Sequence, residues 1–151
     1  MGLLADLKVP QVTGARDDDR VLLLHGMMLI IGADGKIEDV EWDLLKSYWY
    51  TLPDFKDQIF DEVLEQANQI IARYDDLDAS VAALEAIESE TLRRKLFVLA
   101  ADLALCTGAP GAAEDARLGA MQRALRLPDE QARGMLELLA LKYAGAVATP
   151  E

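Results

Sequence analysis

The fold is decided by residues 21–35, which read VLLLHGMMLIIGADG. The stretch is apolar on nearly every side as far as Ile31, interrupted by His25, and a helix of that kind lies in the centre of a protein core. It falls short of the roughly 20 apolar residues that span a bilayer. Asp17, Asp18 and Asp19 precede it and are placed to cap its start and to complement its positive end. Residues 32–35 form a turn that ends it.

Six further helices are predicted from apolar spacing, capping residues and helix breakers. The second is capped by Glu38, with Glu41 completing a capping box, and ends at Leu52-Pro53. The others are a third from Pro53-Asp54 to Tyr74, a fourth capped by Asp78 from Ala79 to Ile87, a fifth capped by Ser89 and ending at Cys106, a sixth from Ala112 to Leu125, and a seventh from Pro128 to Tyr143. No strand pattern competes, so the sequence predicts an all-α fold of about seven helices.

Length and composition indicate one domain with a charged surface. The chain has 151 residues and 52% apolar residues, enough for a single core. We expect an N-terminal tail over residues 1–18, the helical domain over 19–146 and a C-terminal tail over 147–151. The net charge of -12 repels phosphate backbones and anionic lipids, so neither nucleic-acid binding nor direct membrane insertion is expected. One cysteine and no visible export or lipidation signal favour the cytoplasm.

The turn after the first helix has a counterpart later in the chain. Asp34 is followed seven residues later by Glu41, and Thr107 is followed at the same spacing by Glu114. Each turn has an apolar helix before it and a glycine within it, and Leu45 and Leu118 occupy matching positions afterwards. This pattern suggests an internal duplication of a helix-turn-helix half.

At these residues the chain resembles the TerB family, named for a tellurite-resistance protein. The family signature is an apolar helix ending in Ala-Asp-Gly and a Glu on the next helix, which here is the stretch from Ala33 to Glu41. Members typically repeat the motif near the C-terminus, and the resemblance covers about residues 20–143. It implies a TerB-like bundle of two similar halves. In the second motif Thr107 replaces the expected Asp, which removes one carboxylate.

The resemblance also implies a function. TerB-like proteins have roles in stress responses within cytoplasmic, often membrane-associated protein complexes, and a related domain occurs in membrane-anchored J-domain co-chaperones. Their acidic cluster has been suggested to bind metal. Carried onto this chain, the partners would be proteins of such a complex.

Four acids are the candidate ligands of a divalent cation: Asp34, Glu38, Glu41 and Glu114. Carboxylate oxygens suit calcium or magnesium, although the spacing differs from an EF-hand, whose glycine comes sixth. Alternatively, Asp34-Gly35 is only a turn and Glu38 and Glu41 only cap the second helix, which requires no metal.

Other candidate residues point less clearly to chemistry. His25 has no ligand partner at a suitable spacing and is expected to be a core histidine, and Cys106 has no nearby base to activate it. A face of the third helix carries acids that either are solvated or meet a basic partner; they are Asp54, Asp57, Asp61, Glu62 and Glu65. The aromatics of the second helix and its turn suit the core or a protein-binding patch, with Tyr50 facing outward; they are Trp42, Tyr48, Trp49, Tyr50 and Phe55.

The sequence thus predicts a non-enzymatic TerB-like interaction module in tellurite resistance or another stress response, tuned by a divalent cation at the acidic cluster. A metal-independent helical scaffold is one alternative. A metal-dependent hydrolase is the other, and it would be favoured by a carboxylate of raised pKa in a cleft.

Overall fold

A computed structural model describes residues 2–12, 16, 18–33, 35–73, 76–108 and 110–145. Those residues form eight α-helices, two 3-10 helices and no strand, which confirms the all-α prediction. The α-helices are α1 (Leu3–Asp6), α2 (Asp19–Ile31), α3 (Asp39–Thr51), α4 (Phe60–Arg73), α5 (Leu77–Ala82), α6 (Glu90–Leu105), α7 (Ala112–Ala124) and α8 (Asp129–Lys142). The 3-10 helices are Pro53–Phe55 and Ala83–Ala86. Within the same ranges, no helix combines the length and the apolar character that crossing a membrane requires. The expected boundary at residue 146 lies outside the described residues.

Helix α2 is the centre of the core, as its uniform apolarity predicts. Leu23, Leu24 and Met27 have no exposed surface, and α2 packs against α4, α6 and α7. Gly26 lets α6 come close, because a Cβ at this position would lie only 2.8 Å from Leu96 Cδ1. The start of α2 differs from the expected cap: Asp18 is the N-cap residue but makes no capping side-chain bond. The buried Asp19 instead accepts the backbone N–H of Arg16 at 2.8 Å.

Two predicted helix starts were wrong. The third helix does not run on from Pro53, because Asp57 adopts a φ of +62°, a left-handed conformation that a continuous right-handed helix cannot contain. The chain forms a 3-10 turn first, and α4 begins at Phe60. The fourth helix is capped by Asp76, whose Oδ1 accepts the N–H of Ala79 at 2.7 Å, and Asp78 lies inside its first turn. The predicted cap of α6 is confirmed, since Ser89 Oγ accepts the N–H of Leu92 at 3.2 Å. Helix α1 was not predicted.

The two halves suggested by the sequence have the same local architecture. The first half is α2, a turn, α3 and α4, and the second is α6, a turn, α7 and α8. The turn glycines Gly35 and Gly108 both have positive φ, at +80° and +111°. Helices α3 and α7 both contain 13 residues. The halves are joined by Arg117 of α7, whose Nη1 donates to the carbonyl of Leu29 at 2.8 Å near the end of α2.

Candidate functional site

Two buried glutamates lie near the starts of α3 and α7, and the charges of both act on the Cys106 thiol; we call this place the junction of the two halves. Glu41 is the third residue of α3 and Glu114 is the third residue of α7, and they are only 3% and 7% exposed. Of the other two predicted metal ligands, Glu38 lies exposed at the N-cap of α3, and Asp34 falls outside the described residues. The structure therefore buries one predicted ligand from each half and leaves Glu38 on the surface.

Glu41 also has the local role that capping predicts. The backbone N–H of Glu38 donates to Glu41 Oε1 at 3.1 Å, and the reciprocal contact from the Glu41 backbone completes the capping box. A capping box satisfies backbone groups that the first turn of a helix leaves without partners. The cap explains why α3 begins at Asp39, but it does not explain why Glu114, at the equivalent place in α7, is buried too.

Cys106, the C-cap residue of α6, is close enough to these acids for their charge to act on its thiol. Its thiol donates to the carbonyl of Leu103 at 3.1 Å. Burial raises the pKa of the thiol to about 11, with further upward contributions from the negative charges of Glu41, Asp102 and Glu114. Cys106 is therefore protonated at neutral pH and is a poor nucleophile. We call the three carboxylates Glu41, Asp102 and Glu114 the buried acidic cluster.

Asp102 accepts hydrogen bonds from three side chains of α3 and the end of α8. It is 5% exposed, and Lys142 Nζ donates to both of its carboxylate oxygens at 2.9 Å. The hydroxyls of Tyr48 and Tyr143 also donate to the carboxylate. Burial acts to raise the pKa of Asp102, but the hydrogen bonds from Tyr143, Tyr48 and Lys142 outweigh burial and hold that pKa below its usual range. Asp102 thus fastens the end of α8 to α6 and α3; we call these four residues the Asp102 latch.

The latch was not predicted from the sequence, although one signal was present. Asp102 is the only charged residue between Leu96 and Leu105, an otherwise apolar stretch. A charge inside a buried helix must find a partner. That rule would have singled out Asp102, but it would not have identified Lys142, which lies 40 residues away in the sequence.

The aromatic residues near α3 divide between core and surface. Trp49 stacks on Phe55 with ring centroids 4.5 Å apart, and Phe60 packs edge-on against both Trp42 and Trp49. Tyr48 is buried in the latch, whereas Tyr50 is 84% exposed, as expected. Most of this cluster is therefore core.

His25 is a fully buried core histidine. Its Nε2 donates to the carbonyl of Ser80 at 2.8 Å, which ties α2 to α5. Within the described ranges, Nδ1 has no hydrogen-bond partner. Burial lowers the pKa of the ring below 6.5, and the bond to Ser80 only partly opposes this, so His25 is neutral at pH 7.

In the described part of the chain, no group of three or more His, Cys, Asp and Glu side chains is arranged to hold a metal ion. Of the four predicted ligands, Glu41 and Glu114 are the two that the structure describes as buried. Two carboxylates are hard oxygen ligands of the kind that calcium and magnesium use, and magnesium commonly combines one or two of them with water. A cation at this place would therefore have two described carboxylates as protein ligands, and its remaining ligands would have to be water.

In comparisons with known proteins, no family model, no curated protein and no solved structure matches this chain. The resemblance to TerB proteins therefore stays a prediction from the sequence.

Proposed function

We propose that the chain is a non-enzymatic TerB-like interaction module of a stress-related, tellurite-resistance type of protein assembly. Its docking surface would be tuned by calcium or magnesium bound at the junction of the two halves. The observation that carries this proposal is the burial of Glu41 and Glu114 at equivalent positions of α3 and α7. Burial removes water from a carboxylate, which strengthens its attraction to any cation that reaches it.

The mechanism would be electrostatic. A cation between Glu41 and Glu114 would offset part of the negative charge that the junction concentrates, and it would tie α3 of one half to α7 of the other. Each of these helices follows a turn whose glycine has positive φ. Fixing the helix starts would therefore fix the two turns and the surface that they offer to a partner protein.

Calorimetric titration of the chelator-treated protein with calcium, magnesium, manganese and zinc tests the proposal. We expect saturable binding of about one ion per chain that is lost in Glu41→Gln and in Glu114→Gln. The matched control is Glu62→Gln, which removes an exposed acid of α4 and should bind as the wild type does. Folded protein that binds none of these ions at about millimolar concentration would overturn the metal proposal.

The reactivity of Cys106 gives a second, independent readout. A bound cation would offset the negative charges that help to raise the thiol pKa, so iodoacetamide should alkylate Cys106 faster at about pH 9 when the ion is present. The same ion should leave the rate unchanged in the Glu41→Gln, Glu114→Gln double variant. A rate in the wild type that does not depend on the ion would count against binding at the junction.

A metal-independent scaffold is the second candidate, favoured by the capping box, which already gives Glu41 a structural role. It predicts that Glu41→Ala lowers the free energy of unfolding by about 1 kcal/mol with no effect of any ion. The hydrolase alternative would need a carboxylate of raised pKa in a cleft. Asp102 is not that carboxylate, because its pKa is lowered.

A further inference from the structure

Helix α8 exposes an apolar stripe on the side away from the core. Leu138 and Leu141 are each 71% exposed, and Ala132 is the one fully buried residue of this 14-residue helix. Gly134 lies one turn before Leu138. Residues spaced by four and three positions share one face of a helix, so Gly134, Leu138 and Leu141 form a continuous stripe.

Gly134 is unexplained by the packing of this chain. A Cβ built at this position has no atom within 4 Å, so the fold leaves room for any small side chain. A glycine inside an exposed helix costs about 1 kcal/mol relative to alanine. What glycine offers instead is a shallow place on the helix surface, where the backbone of a second helix can approach closely.

The charges beside the stripe are complementary to the same charges on a second copy of the chain. Arg133 and Glu137 are exposed, lie one turn apart on the same flank of the stripe, and have no ion-pair partner among the described residues. In a two-fold symmetric antiparallel helix pair, identical flanks face each other. Arg133 would then lie opposite the partner's Glu137, and the reverse, whereas a parallel pair would set this flank against the other edge of the helix.

We propose that the α8 stripe is a self-association surface through which two copies of this chain pair by antiparallel α8 helices. Leu138 packs over the partner's Gly134, and Arg133 pairs with the partner's Glu137. The inference does not depend on metal binding. One helix pair buries less than the roughly 800 Å² per partner of a standard interface, and two chains of charge -12 repel each other, so the dimer is weak, with a dissociation constant in roughly the micromolar range.

Sedimentation velocity from roughly 10 µM to 1 mM measures this association. The wild type should shift from 16.6 kDa toward twice that mass as the concentration rises. Leu138→Glu should remain a monomer, while Ile59→Glu, which changes a 61% exposed apolar residue before α4, should associate as the wild type does. Gly134→Ala should raise the thermal stability of the monomer and weaken the dimer at least about tenfold.

Charge exchange distinguishes an antiparallel pair from non-specific apolar association. Arg133→Glu and Glu137→Arg should each weaken self-association, and mixing these two variants should restore dimers, because each supplies the charge that the other lacks. If the two substitutions acted only within their own helix, mixing the two variants could not restore self-association. A wild type that stays monomeric at about 1 mM, or two single variants that do not pair with each other, would overturn the proposal.

Discussion

The two halves begin with the same turn but are closed by different chemistry. In the first half, α4 packs against α2 through the buried apolar residues Val63 and Ala67, with Phe60 held between two tryptophans. In the second half, α8 packs against α6 with Ala132 alone fully buried, and its end is fastened by the Asp102 latch. A similar helix-turn-helix unit can thus be closed by fully buried apolar side chains or, as in α8, by partly buried ones together with an ion pair to the buried Asp102. The second solution leaves the apolar stripe of α8 exposed.

The largest expected effect comes from removing the acceptor of the latch. Asp102→Ala leaves the buried hydroxyl of Tyr48 and the groups at the end of α8 without their acceptor, and breaking such an arrangement costs about 3 kcal/mol. Lys142→Ala should cost only about 1 kcal/mol, because Lys142 is half exposed and Asp102 keeps both tyrosine donors. Urea unfolding monitored by circular dichroism measures both free energies.

The same pair of variants tests whether the two halves are closed by different chemistry. If Asp102→Ala costs no more than Lys142→Ala, the latch contributes little, and α8 is held by apolar contacts as α4 is. Hydrogen exchange locates the effect: Asp102→Ala should increase exchange in α8 far more than in α4.

The sequence predicted those features that are determined locally. Ser89 and Glu38 mark helix starts because their partners lie three residues away. The start of α4 could not be read from apolar spacing, because the left-handed backbone at Asp57 interrupts a pattern that otherwise continues. For the candidate site, the sequence identified Glu41 and Glu114 through the repeat but not their burial. The Asp102 latch depends on side chains brought together from three distant helices, which no local pattern encodes.

Lowering the pH should reduce the free energy of unfolding in two separate ranges, one set by His25 in the first half and one by Asp102 in the second. The pKa of His25 is lowered below 6.5 in the folded protein, so only the unfolded chain takes up this proton as the pH falls below about 6.5. Stability then falls by up to about 1.4 kcal/mol per pH unit until the folded pKa is reached. Asp102 affects stability at lower pH. Its contribution to the free energy of unfolding is present above about pH 3.8 and is lost as the pH falls through its lowered folded pKa.

Urea unfolding at about pH 7.5 and about pH 5.5 isolates the histidine, because 5.5 lies above the ordinary range of carboxylates. His25→Gln is the control, since its amide can donate to the Ser80 carbonyl but does not titrate in this range. We expect the wild type to lose stability between these pH values and the variant to lose much less. Equal losses would show that His25 is not the titrating group.

The smallest effect concerns the turns, where the two halves should behave alike. Gly35 and Gly108 have φ values of +80° and +111°, and alanine in a left-handed conformation is disfavoured by about 1 kcal/mol. No atom lies within 4 Å of a Cβ at either glycine, so strain of the backbone, not a clash, should determine the loss. Gly35→Ala and Gly108→Ala should therefore each lower the free energy of unfolding by about 1 kcal/mol. If only one of them is destabilising, the two turns are not equivalent, and the similarity between the halves is confined to the helices that follow.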